Sequence, residues 1–93
     1  MYNPSYTNQF EKDVRKLKKS GKKVHIDELK NVITKLLAGK KLDDKYKNHL
    51  LYSNWKDHFE CHIKPDLLMI YKIHKLNNII YFVRLGSHSE LFK

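Results

Sequence analysis

From Trp55 to Lys64 the chain alternates in strict period two. Lys56, His58, Glu60, His62 and Lys64 fall in one register, and Trp55, Phe59, Cys61 and Ile63 in the other. Neighbouring side chains of an extended strand point to opposite faces, so this pattern predicts a half-buried strand. Its outer row carries two imidazoles, a carboxylate and two ammonium groups. Side chains two apart on a strand lie ~6.5–7 Å from each other, close enough to act on one small substrate group. The row therefore offers a proton acceptor, a proton donor and positive charge for an anion.

The rest of the chain builds a frame around that strand. Leu67 to Ile73 is nearly continuous apolar sequence, as in a central strand covered on both sides. Lys64-Pro65-Asp66 is a turn signal ahead of it, and Asn77–Asn78 a hairpin turn after it, leading into an apolar strand over Asn78–Leu85. Before the alternating segment, His49 to Ser53 reads as a short strand that turns at Ser53–Asn54. Helical spacing governs the first half. Phe10, Val14 and Leu17 follow a capping box read at Asn8 and Glu11, and Ile26, Leu29, Val32, Ile33, Leu36 and Leu37 form a second stripe stopped at Gly39. Tyr2 to Tyr6 reads as an edge strand broken by Pro4. Gly86 releases a short tail. The expected fold is α+β: an N-terminal strand, two helices, then an antiparallel meander of three to four strands with the helices packed on one sheet face. No linker or repeat divides residues 1–93, which read as a single domain.

Charge bounds the function. Nineteen Lys and Arg oppose ten Asp and Glu, a net +9 over 93 residues. Such an excess attracts polyanions without choosing among them, so nucleic acid, an acidic protein and an anionic membrane surface are all eligible partners. No apolar run approaches the ~20 residues of a membrane span and no export leader opens the sequence, which places the protein in the cytoplasm with no membrane partner. The lone cysteine, Cys61, excludes an internal disulfide and leaves no cysteine pair for zinc; it reads as a small buried hydrophobe. Lysines crowd the first helix and its turn, from Lys12 to Lys23, as either a solvated face or a phosphate track.

Chemistry-bearing residues recur at the C-terminal end. Arg84 is one of two arginines among seventeen lysines. It suits planar recognition of phosphate; the alternative is an internal salt bridge to Glu60 or Asp66. His88 follows Gly86. Phe92 either tucks into its own domain or stacks on a base. His58, Glu60 and His62 also have the donor types of a zinc or iron site, but Lys56 and Lys64 in the same row oppose a dication. No nucleophile elbow and no phosphate-cradling glycine loop is present. What remains is acid–base chemistry on a phosphodiester without metal or cofactor. RNA supplies its own nucleophile in the 2′-hydroxyl. Histidine suits both proton transfers, and arginine and lysine the phosphorane charge.

The segments Trp55-Lys56, Glu60 to Asp66, Tyr71-Lys72 and Arg84 to Phe92 resemble the YafQ branch of the RelE/ParE toxin superfamily. The resemblance covers nearly the whole chain and is most specific from His49 to Phe92; the helices match in pattern only. It implies a RelE-like fold and a type II toxin, a small ribonuclease that cuts mRNA in the ribosomal A site and is silenced by a cognate antitoxin protein. Position by position, His49 and His62 match the family's sheet histidines, His88 its tail histidine, and Asp66 the acidic residue after the proline. Arg84 matches the strand arginine and Phe92 the terminal aromatic. Glu60 stands where YafQ has aspartate, and His58 has no counterpart. The roles this implies are His49 or Glu60 as base, His62 or His88 as acid, Arg84 on the phosphorane, Asp66 orienting His62 or the turn, and Lys56, Lys64 and Phe92 on RNA. The superfamily also contains gyrase poisons, so a fold alone does not decide function. Two other readings stand beside it: a non-catalytic basic nucleic-acid-binding module, and a protein-interaction domain for an acidic partner.

Overall fold

A computed structural model describes residues 1–92. Strand β1 (Asn3–Tyr6) leads into helix α1 (Asn8–Lys19), then α2 (Lys23–Leu37). Four strands follow: β2 (His49–Leu50), β3 (Phe59–Lys64), β4 (Leu67–His74) and β5 (Ile79–Gly86), and a short helix α3 (His88–Leu91) closes the chain. The sheet order is β1-β5-β4-β3-β2. β2 to β5 form the expected antiparallel meander, and β1 returns to pair in parallel with β5.

Each face of the sheet has its own cover. Cys61, Ile63, Met69, Tyr71, Ile80, Phe82 and Leu85 turn toward Phe10 and Leu17 of α1 and Leu29, Val32 and Leu36 of α2, forming the main core. Burial pushes the Cys61 thiol up to about 12, so it stays a neutral hydrophobe in the core. The opposite face holds a smaller cluster: Leu68 and Ile70 lie under Leu91 of α3, with Leu51, Trp55, Val83 and Phe92 packed around them. β4 is thus covered on both sides, which its continuous apolar sequence requires.

Three local readings need correction. Thr7, not Asn8, caps α1: its hydroxyl accepts from Phe10 N at 3.0 Å and donates to Val83 O at 2.8 Å, tying the helix to β5. The tail after Gly86 is not loose, because Ser87 and Glu90 form a capping box that starts α3. Most consequential, β3 begins at Phe59. Ser53–Trp55 forms a 3₁₀ turn, Asp57 adopts φ +69°, and Leu51 N donates to His58 O at 2.8 Å. Residues 51–58 therefore close a loop rather than extend a strand.

Candidate nucleic-acid-cleaving site

Strand pairing fixes the first row of the site. His49 of β2 pairs with Glu60 of β3, Glu60 with Ile70 of β4, and Ile70 with Arg84 of β5. Directly paired residues share a face, so His49 and Glu60 belong to one row on the face opposite α1 and α2, while Arg84 stands at the same level of the sheet beside a bulge in β5 and bonds to α1. At ~4.8 Å per strand, the Cα atoms of Glu60 and Arg84 are about 10 Å apart. The next row runs His62, Leu68, Gly86, and brings the chain to His88 two residues later. α3 follows, with Leu91 buried on Leu68 and Ile70 of that face and His88 exposed one turn earlier on the same helix. Imidazoles from β2 and β3 thus meet at Glu60, and α3 carries a third.

Glu60 is the centre of this group. Its carboxylate Oε1 is 3.5 Å from His49 Nε2 and 3.4 Å from His62 Nε2. The sequence pattern puts Glu60 on an exposed row, yet it is 5 % exposed and is the buried charged residue of the sheet. The difference arises because β2 and its histidine flank one side while the α3 cluster covers the other. His49 Nδ1 lies 2.7 Å from Lys47 O, a carbonyl that can only accept, so this nitrogen donates. Nε2 is left facing the carboxylate, and that contact is attractive only with a proton between them.

The expected five-group row contracts to Glu60 and His62. Lys56 and His58 sit in the closed loop, with His58 Nδ1 bonded to Lys56 O at 3.0 Å and its ring edge-on to Trp55. Lys64 leaves the row through a bulge. His62 pairs with Leu68 and Lys64 with Leu67, so Lys64 takes the side of Leu67, which packs in the helix-covered core. There it shares a groove with Lys45, Lys47 and His62.

Arg84 and Asp66 find partners the sequence did not indicate. Arg84 Nε donates to Asp13 Oδ2 of α1 at 3.0 Å, and Leu85 N donates to the same oxygen at 2.9 Å. The partner is neither Glu60 nor Asp66. β5 carries a bulge here, since Ile70 pairs with Arg84 but Tyr71 with Phe82, and the sheet edge beyond β1 opens toward α1. The guanidinium is anchored through Nε, and the side chain remains about a quarter exposed. Asp66, at the β3–β4 turn, is 3.3 Å from His25 Nε2 and 3.9 Å from Lys22 Nζ, both at the start of α2. The bond to His25 holds its carboxyl below the usual range. The histidine it orients is therefore His25, not His62.

His88 is exposed, its ring 5.1 Å from that of Phe92. Phe92 is half-buried, tucked against its own domain and 6.5 Å edge-on from Trp55. Glu90 pairs with Lys16 of α1 at 2.6 Å, pinning α3 from behind. This bond and the Ser87 N–H lower the Glu90 carboxyl to about 2. Asp13 and His25 were not singled out from sequence, and Lys16 only as one of the run of helix lysines. Each lies on a helix where a charged residue carries no mark of the strand or turn it will meet. Among the described residues no set of three His, Cys, Asp or Glu side chains converges to hold a metal ion, and no helix is long and apolar enough to cross a membrane.

The chain is a small basic toxin domain of a type II toxin–antitoxin system, as the family match shows. The family model described as bacterial toxin of type II toxin-antitoxin system, YafQ, matches residues 2–93, and the chain belongs to that family. The mRNA interferase toxin YafQ of Escherichia coli (strain B / BL21-DE3) is 36% identical over 88 residues, 94% of this chain and 91% of the relative. A metal-bound toxin from Helicobacter pylori superposes with a TM-score of 0.90 at 43% identity, covering 99% of this chain and 100% of that one. The toxin of the E. coli DinJ-YafQ complex gives 0.88 at 34% identity, covering 100% of both chains.

Proposed function

We infer that this toxin is an endoribonuclease that cuts mRNA, on the ribosome, by acid–base chemistry, and that a cognate antitoxin silences it. One observation carries the reading: a buried carboxylate within 3.5 Å of two imidazoles from separate strands, in a basic protein whose relatives are named mRNA interferases. His49, Glu60 and His62 act as one coupled unit that takes the 2′-hydroxyl proton. The freed oxygen bonds to phosphorus and the 5′-oxygen departs, leaving a 2′,3′-cyclic phosphate. His88 gives its proton to that departing oxygen. The terminal nitrogens of Arg84, beyond its Asp13 anchor, meet the phosphorane charge. Lys45, Lys47 and Lys64 line the approach beside His62.

The test is cleavage of mRNA on translating ribosomes, with and without a chelator selective for transition metals that spares ribosomal Mg²⁺, for the wild type and His88→Ala. Full activity in the chelator is expected, with a loss of ~10²–10⁴-fold in the variant at unchanged melting temperature. Abolition by chelator would replace this reading with a metal-dependent one. RNA binding with a steep salt dependence and no product would replace it with a non-catalytic module.

A further inference from the structure

Beside the proton-transfer group lies an open cleft of about 560 Å³ lined by Leu51, Tyr52, Ser53, Asn54, Trp55, Leu91 and Phe92. Trp55 and Phe92 are half-buried with their rings edge-on, whereas Tyr52 is 79% exposed. A single exposed aromatic needs no explanation. This one shares a cleft with two further rings, and one of them, Phe92, also touches the ring of His88. The loop is held firmly. Leu51 N–His58 O closes its ends at 2.8 Å, Trp55 N bonds Tyr52 O at 3.2 Å, and Ser53 and Asp57 both take positive φ without being glycine. Backbone kept in that region costs free energy and collects at ligand clamps. Asn54 adds an amide that can both donate and accept, and Lys56 an exposed cation just outside.

We propose that this cleft is a nucleobase subsite, in which Tyr52 stacks on an unpaired base of the RNA next to the scissile phosphate. The occupant follows from continuity and charge. The cleft adjoins α3, which carries His88, and the surrounding protein is strongly cationic. An aromatic platform beside a cation is the pairing single-stranded RNA recognises, because every base offers a π-face and every nucleotide a phosphate. The inference rests on the ribonuclease reading for the identity of the strand.

Trp55 is the only tryptophan, so its fluorescence reports the cleft directly. The probe is a short single-stranded RNA with 2′-O-methyl riboses, which lacks the attacking hydroxyl and is not cut. Binding should quench Trp55. Tyr52→Ala should weaken it roughly 5- to 100-fold, while Tyr52→Phe should retain it. In a series of abasic oligomers, one position should cost the wild type what Tyr52→Ala loses, and should cost the variant nothing more. Failure to bind, binding seen by anisotropy without quenching, or an unaffected Tyr52→Ala with a flat abasic series would each overturn the subsite. Ribosomal cleavage by the wild type is measured separately. Cleavage without quenching removes the subsite and leaves the nuclease, and quenching without cleavage does the reverse.

Discussion

Glu60 is buried away from water, so its carboxyl depends on the two imidazoles beside it. A buried carboxylate is tolerated when paired, and removing either partner leaves an uncompensated group. Glu60→Gln keeps the shape but cannot take a proton. It should lower cleavage by about 10²–10⁴-fold with an unchanged circular dichroism spectrum, and full activity would remove Glu60 from the proton-transfer unit. His49→Ala in the same background should add little, because coupled groups fail together. Asp13 is the second decisive residue. One oxygen accepts from both Arg84 Nε and Leu85 N, and Asp13→Ala leaves a partly buried N–H and a guanidinium without it. Urea unfolding should show a loss of about 1–3 kcal/mol. At this scale the sequence was only partly legible. It marked Glu60, His62, Arg84 and His88, but not that Glu60 is buried or that Arg84 is tied to a residue 71 positions away. Both facts come from contacts remote in sequence.

Elements whose side chains set their own period were read well: the two helices, β4 and β5 fall within a few residues of their expected bounds. The loop from 51 to 58 was legible in part: the turn at Ser53–Asn54 was expected, but the strand after it starts later than its alternation implies, because the backbone bends again at Asp57 without a glycine to announce it. α3 was missed as a helix, since four residues are too short for a periodic signal, though Ser87 and Glu90 were there to read as a capping box. That box makes α3 sensitive to acid. The Glu90 carboxyl is held at about 2 by Lys16 and the Ser87 N–H, below its unfolded value near 4.3. Its contribution is therefore complete above about pH 5 and lost as the pH falls toward 2. Both partners are well exposed, so solvent screening keeps the ion pair itself weak. Ser87→Ala should cost about 0.5–2 kcal/mol locally. Amide protection at Leu91 and Phe92, corrected for the pH dependence of intrinsic exchange, should fall in Ser87→Ala, and in the wild type on acidification. In Glu90→Gln that acid-induced fall should shrink. Equal acid sensitivity in wild type and Glu90→Gln would assign the effect elsewhere.

For the whole molecule, size and charge act together. A chain of 93 residues buries only about 60–65% of its unfolded surface, which limits the stability the free toxin can reach. Its +9 charge raises self-repulsion in the folded state and attraction for any acidic chain. A partner that binds only the folded toxin stabilises it by mass action, by about 2.7 kcal/mol at a hundred times Kd. For a domain of this size, each kcal/mol moves Tm by about 4–8 °C. An acidic antitoxin segment at that concentration should thus raise Tm by about 10–20 °C, and part of the gain should vanish in high salt as the surface charges are screened. Scanning calorimetry over a series of partner and salt concentrations checks both. A rise in Tm indifferent to salt would mean that the antitoxin is held by apolar burial, and the positive surface would then be left to nucleic acid alone.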